Sequence, residues 1–337
     1  MTLPGARISI PTLLLISLSL GGLFGCSRSP QGGGEATEGA GVKRTVAVIP
    51  KATTHSYWKA AEAGARKAAA DLGVEIEWQG PLDDSKVADQ IGIFNNLAAS
   101  GVAGILLAPC DDKALLPHVR NARKRGLPVV IFDSPLSGKA GEDYLGFIAT
   151  DNRAGGEIAG RELIQRMGDR PGHGGKVLML RFTEGSASTR LREEGFSAAI
   201  AAQPALKIVS EQFTDGSMAG AQRVAETLLH GFVKDNRLEL DGIFASNQPT
   251  AEGMTNALRA LRDKGVVMQV RFVGFDDSDL LAQGLANGIV DALVVQDPQR
   301  MGDLGVRALV DAIEGKPVAP IVDTGVTVRT RDGGVRP

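Results

Sequence analysis

Residues 45–328 alternate between short apolar stretches of buried-strand type and segments of helical periodicity, and this alternation constrains the fold most. Thr45-Val46-Ala47-Val48-Ile49 is the first strand. Residues 57–72 are alanine-rich and stop at Gly73, as helices do. Residues 74–78 alternate and read as a second strand. From Asp84, apolar Val87, Ile91, Phe94 and Leu97 recur at helical spacing up to Gly101. Strands follow at 104–108, 128–132, 145–149, 176–181, 206–213, 242–245, 270–275 and 291–295, with one final strand at 321–328. Helices separate them at 112–125, 152–167, 187–202, 217–229, 250–264, 278–287 and 298–314. Short apolar strands alternating with helices build parallel sheets covered on both faces. About ten strands are too many for one comfortable sheet in such a chain. The expected fold class is therefore α/β, with two doubly wound parallel-sheet lobes.

Length and charge agree with two lobes and narrow the function. At roughly 100–200 residues per domain, 337 residues make two domains. With 39 acidic and 37 basic side chains the net charge is −2, so there is no basic footprint for nucleic acid. Two cysteines exclude a disulfide framework, and four scattered histidines argue against a metal site. Cys110 reads as a buried, inert thiol rather than a nucleophile.

The N-terminus has a different character. Arg7 is its only charge before Arg28, and an apolar run from Thr12 to Leu20 follows. That is the layout of an export signal over residues 1–25; the other reading is an uncleaved membrane anchor. Leu23-Phe24-Gly25-Cys26 resembles the lipobox of bacterial lipoproteins. The resemblance implies thioether lipidation of Cys26 and cleavage before it. Acyl chains on one residue anchor a protein stably, at about 0.8 kcal/mol per buried methylene. Residues 26–43 are rich in Gly, Ser, Pro and Gln and read as a flexible tether with a reach of roughly 20–25 Å.

In parallel α/β sheets ligands bind outside the carboxyl ends of the strands. Those ends read Pro50-Lys51, Ala108-Pro109, Asp133-Ser134, Asp151-Asn152, Arg181-Phe182, Asn247-Gln248, Asp276-Asp277 and Gln296-Asp297. Polar side chains recur there, which suits a polyhydroxylated ligand. The first turn, Pro50-Lys51-Ala52-Thr53-Thr54-His55, has no glycine, so it is not a dinucleotide cradle. No Walker-type loop and no G-x-S-x-G nucleophile elbow is present. Nothing in the sequence assembles an activated nucleophile, and no cofactor is expected.

Several pieces then stand in one order: Tyr57-Trp58 with Ala63-Gly64-Ala65, the 126–133 segment ending in Asp133, Ala149-Thr150-Asp151-Asn152, and Gly185-Ser186-Ala187-Ser188 leading to Arg192 and Gly195-Phe196. Ile243-Phe244-Ala245-Ser246-Asn247, Phe272-Val273-Gly274-Phe275-Asp276 and Val294-Val295-Gln296-Asp297-Pro298 complete the series. Over residues 45–328 the chain resembles periplasmic sugar-binding proteins of the ribose type, the soluble receptors of ABC importers. The resemblance implies a type I periplasmic binding protein: two lobes joined by three hinge crossings, near 150–151, 296–297 and 323–324. The N-terminal lobe would be 44–150 plus 297–323, and the C-terminal lobe 151–296 plus 324–337. It also implies a monomeric, non-enzymatic receptor that closes on a monosaccharide or polyol and delivers it to a permease.

Each candidate ligand residue has a second reading from sequence alone. Asp133 is a ligand carboxylate or a turn residue. Asp276 is a ligand carboxylate or a helix cap, since Asp277 and Ser278 follow it. Arg192 lies among Arg190, Glu193 and Glu194 and reads alone as a solvated helix face. Asn247 and Gln296 carry donor and acceptor together, as hydroxyls do, or satisfy backbone groups at strand ends. Tyr57 and Trp58 stack on a sugar face or pack as core, with Trp58 the preferred stacker. His55 precedes them and can donate at one ring nitrogen and accept at the other. The resemblance favours the ligand role throughout. The ribose binders carry Asn at the position of His55, a Phe pair at Tyr57-Trp58, Asn at Ala108, Arg at Ser134 and an aromatic near Gly216. These departures leave a pentose, a hexose or a sugar alcohol open as ligand. A signalling receptor that presents its ligand to a membrane sensor is the alternative use of the same lobes.

Overall fold

A computed structural model describes residues 44–168, 174–331 and 333–336. The expected export signal, Cys26 and the tether lie outside the described residues. Residues 43–337 belong to a single unit.

The first sheet takes β1 (Thr45–Ile49), β2 (Glu75–Trp78), β3 (Ile105–Leu107), β4 (Val129–Phe132) and β5 (Phe147–Ala149). Between them run α1 (Ser56–Leu72), α2 (Val87–Ala99) and α3 (Leu116–Lys124). The chain then enters a second sheet through α4 (Asn152–Met167), β6 (Lys176–Leu180), α5 (Ala187–Ala201), β7 (Lys207–Gln212) and α6 (Met218–His230). A small ribbon follows, β8 (Val233–Lys234) with β9 (Arg237–Leu238). The second sheet resumes with β10 (Gly242–Ala245), α7 (Gln248–Asp263), β11 (Arg271–Phe275), α8 (Asp279–Ala286) and β12 (Ala292–Gln296). Helix α9 (Pro298–Ile313) and β13 (Ile321–Asp323) return to the first sheet, and β14 (Val326–Thr330) and β15 (Val335–Arg336) close the second.

The strand orders are β2-β1-β3-β4-β5-β13 and β7-β6-β10-β11-β12-β14-β15. Every pair in the first sheet is parallel. In the second, among the described residues, only the two pairings made by β14, with β12 and with β15, are antiparallel. Each sheet reverses its strand order beside its first strand, β1 or β6, which is where open α/β sheets leave a crevice for ligands. Central strands are buried on both faces, so they read as unbroken apolar runs.

Three departures from the sequence reading have local causes. The single final strand expected at 321–328 is two strands in different sheets. Gly325 adopts φ 73° between them, and Asp323 Oδ1 accepts from Gly325 N at 2.8 Å, turning the chain out of the first sheet. The helix expected at 112–125 begins at Leu116, because Asp111 Oδ1 accepts from the amides of Lys113 and Ala114 and holds that segment as a turn. The β8–β9 ribbon was not expected; Asp235 and Asn236, at φ 46° and 58°, form the tight turn that suits a two-residue hairpin.

Candidate functional site

Between the carboxyl ends of the two sheets lies a cleft lined by all eight candidate ligand residues: His55, Tyr57, Trp58, Asp133, Arg192, Asn247, Asp276 and Gln296. Asp133 follows β4 and Asp276 follows β11, one from each sheet. Both adopt left-handed backbone, φ 62° and 69°, a conformation that non-glycine residues rarely hold. Both are buried. Such conformations persist where the surroundings impose them and collect at binding sites. Asp276 does not cap α8, since Ser278 performs that task; its carboxylate instead meets the first amide of α7.

The second sheet supplies a tightly bonded polar wall. Asp276 Oδ1 accepts from Gln296 Nε2 at 2.7 Å, and Oδ2 accepts from the Gln248 amide at 3.0 Å. Arg192 is buried, not solvated. Its Nε donates to Asn152 Oδ1 at 2.8 Å and one terminal nitrogen to the Ser246 carbonyl at 3.1 Å. Its guanidinium lies 4.0 Å from the centroid of Phe275 and 3.9 Å from Asp276 Oδ2. Asn247 does cap α7, its Oδ1 accepting from Thr250, and it faces the cleft as well. Gln296 Oε1 is buried and has no partner among the described residues.

In the wall from the first sheet, the Tyr57 hydroxyl donates to Asp133 Oδ1 at 2.6 Å. Tyr57 meets Trp58 edge-on at 5.1 Å, and Trp58 meets Phe132 edge-on at 6.0 Å. Trp58 is thus core and cleft wall at once. Burial pushes the Asp133 carboxyl up from its ordinary range, against the opposing charge of Lys51 and the bond from Tyr57. Burial likewise raises Asp276, against Arg192 and the bonds from Gln296 and Gln248. The Tyr57 phenol is driven well up by burial and by the two aspartates, so it stays a hydroxyl donor.

The two walls are closed on each other. Neither His55 nor Ser186 makes a side-chain cap bond to the helix it precedes, α1 or α5. The opposite wall meets these orphan helix amides instead. Tyr57 N donates to Gln248 Oε1 at 3.3 Å, and Ser188 N donates to Ser134 Oγ at 3.3 Å. Gln248 Nε2 also donates to Ser56 Oγ at 2.9 Å, and Arg190 pairs with Asp112 at 3.0 Å.

Sequence alone did not single out Lys51, Asp84, Ser188, Thr189 and Gln248 as lining residues. Lys51 and Gln248 do stand at strand ends, where the rule for α/β sheets points. Asp84 stands in a loop, and no local pattern marks it. Cys110 is buried, burial raises its thiol, and its Sγ contacts the Lys51 carbonyl at 3.4 Å.

Comparison with known proteins agrees with this architecture. The periplasmic binding protein domain family matches residues 46–317. The ribose import binding protein RbsB of Haemophilus influenzae is 28% identical over 279 residues, 83% of this chain and 89% of that one. A carbohydrate transporter solute binding protein from Agrobacterium radiobacter, solved with D-arabinose, is 32% identical with a TM-score of 0.79, covering 87% of this chain and 96% of that one. An ABC transporter solute binding protein from Agrobacterium vitis, solved with D-fucose, is 35% identical with a TM-score of 0.79, covering 86% and 96%. Two sheets of the type I arrangement, a cleft at their strand ends and a match across most of the chain place this protein in the periplasmic binding protein domain family, whose members are non-enzymatic solute receptors.

Proposed function

We propose that the protein is the extracytoplasmic receptor of an ABC sugar importer, binding one monosaccharide or polyol between its lobes and presenting it to the permease. The observation that carries this reading is the pair of buried aspartates, Asp133 and Asp276, one from each sheet and both facing one cleft. A carboxylate accepts from neighbouring hydroxyls, and such charge-assisted bonds are roughly twice as strong as neutral ones. Arg192 adds donors, and Trp58 offers an apolar face for the C–H side of a sugar ring. The cleft is lined by polar side chains from both sheets beside one aromatic wall, a lining that suits a small polyhydroxylated molecule. Relatives named for ribose, and neighbours solved with D-arabinose and D-fucose, support a pentose or hexose.

Closure is then the signal. Ligand stabilises the closed lobes only to the extent that it binds them better than the open ones. The crossed helix caps, Tyr57 to Gln248 and Ser188 to Ser134, form only when the walls meet, so they add to the closed state whatever sugar is present. The purified protein, melted against a panel of pentoses, hexoses and sugar alcohols, should respond to at least one. A sugar at a hundredfold over its dissociation constant contributes about 2.7 kcal/mol, a rise of roughly 4–5 °C in the midpoint for a fold of this size. A folded protein that ignores the whole panel would sink the reading.

The same proposal places the receptor on a membrane through lipid on Cys26, supported by the Leu23-Phe24-Gly25-Cys26 motif after an apolar run. The protein recovered from the membrane fraction should incorporate labelled fatty acid, and Cys26→Ala should incorporate none. A wild type that takes up no label would overturn the lipid anchor and favour an uncleaved leader.

A further inference from the structure

Glu193 stands beside Arg192 on α5 but does not line the cleft. It is buried, with 2% of its surface exposed, and both of its oxygens are engaged. Oε2 accepts from Arg181 Nε at 2.8 Å. Oε1 accepts from the Phe182 amide at 3.2 Å and from Ser246 Oγ at 2.9 Å. Arg181 and Phe182 directly follow β6, and Ser246 directly follows β10. These two strands are parallel neighbours, and their pairing ends at Leu180 and Ala245. One carboxylate oxygen therefore joins the two chains just past the point where the sheet stops joining them.

The two oxygens serve different ends. Arg181 has other partners, with its guanidinium 4.0 Å from the centroid of Phe213 and a terminal nitrogen 3.5 Å from Glu211. A buried ion pair is weak support for a fold, because desolvation offsets the attraction. The bond to Ser246 reaches the binding site instead. The Ser246 carbonyl accepts from Arg192 at 3.1 Å, and the next residue, Asn247, caps α7 and faces the cleft. Helix α5 thus grips one buried residue twice, Glu193 by its hydroxyl and Arg192 by its carbonyl. Fixing the hydroxyl restrains the backbone that carries the carbonyl.

We propose that Glu193 is a positioning residue for sugar binding, which orients Arg192 and Asn247 through Ser246 without touching the ligand. This rests on the sugar-receptor reading and adds to it. Side chains that meet a ligand hold their geometry only when bonds behind them lock it, and here one carboxylate supplies that lock from the outer side of the sheet.

The test titrates D-ribose, D-arabinose, D-fucose and D-allose calorimetrically into the purified protein and carries the tightest binder through three variants. Ser246→Ala removes the hydroxyl and leaves the carbonyl. It should weaken binding about 5- to 10-fold, the loss that follows one hydrogen bond, and lower the melting midpoint by no more than about 2 °C. Glu193→Ala should weaken binding about tenfold and also melt clearly lower. Glu193→Gln keeps a carbonyl oxygen for Phe182 and Ser246 but gives Arg181 no second acceptor. It should recover affinity to within about threefold of wild type while its midpoint stays low. Affinity would then follow the Ser246 bond and stability the Arg181 pair, a division that a merely structural glutamate does not produce. The proposal is overturned if Ser246→Ala binds like wild type, or if Glu193→Gln binds as weakly as Ser246→Ala; these two variants decide the matter even where Glu193→Ala fails to fold. A wild type that binds none of the four sugars would remove the receptor reading and this proposal with it, a result distinct from variants that bind with unchanged affinity.

Discussion

Replacing Arg192 with Lys is expected to weaken sugar binding at least about 100-fold, close to the loss in Arg192→Ala. Charge is kept in the first variant, so the comparison isolates geometry. The guanidinium does three things together: Nε donates to Asn152, a terminal nitrogen donates to the Ser246 carbonyl, and its plane lies over Phe275. An ammonium is a compact point charge that cannot hold this fork and stack at once. Arg192 also opposes the upward push of burial on Asp276. Without it the Asp276 carboxyl would be harder to ionise and a poorer acceptor for ligand hydroxyls. Breaking a buried charge pair by removing one partner typically costs about 3–5 kcal/mol, enough to take the dissociation constant outside a working calorimetric range. Calorimetry with the sugar that shifts the wild-type midpoint decides the matter. An Arg192→Lys protein within threefold of wild type would mean that charge alone suffices and that the fork is incidental.

The contrast between Arg192 and its neighbours shows how far the sequence could be read. The run Arg190-Leu191-Arg192-Glu193-Glu194 looks like a solvated helix face. In the fold it splits: Arg192 and Glu193 are buried, Arg190 is half-buried against Asp112 of the opposite wall, and Glu194 is exposed. Nothing in the spacing of four charges says which two turn inward; the family resemblance pointed to Arg192 alone. Strands and helices were legible because each depends on local periodicity and turn residues. Asp133 and Asp276 were legible because strand ends in α/β sheets are privileged positions. The place of Asp84 in the cleft was not, because no local pattern marks its loop, and the bond from Lys51 to Ser186, 135 residues away, is equally invisible in the sequence. The split of the last strand was hidden for a similar reason. Its apolar character continues across Gly325, and only pairing with two different sheets divides it.

Gly156→Ala should lower both stability and affinity, though the residue touches no ligand. Helices α4 and α5 approach so closely that a Cβ on Gly156 would lie 1.9 Å from the Arg192 carbonyl oxygen. Gly195 meets α4 the same way, its Cβ position 2.1 Å from the Arg153 carbonyl oxygen. The first sheet repeats the device, with Gly64 of α1 against the Gln299 carbonyl at 1.9 Å and Gly302 of α9 against Ala61 at 2.1 Å. Two effects compete in the substitution. In an open helix, alanine is favoured over glycine by about 1 kcal/mol. Here the added methyl meets backbone, which has no rotamer to move, and α5 must shift by roughly 1 Å to restore contact distance. Overpacking of this kind costs about 1–3 kcal/mol, so the clash outweighs the propensity. The segment that shifts carries Arg192, whose bonds to Asn152 and Ser246 leave little slack. A drop of several degrees in the melting midpoint, together with a loss of about tenfold or more in sugar affinity, is the expected pair of results. A variant that melts lower but binds normally would show that α5 can slide without carrying the guanidinium with it. One that matches wild type in both would mean that the helices part more easily than their packing implies.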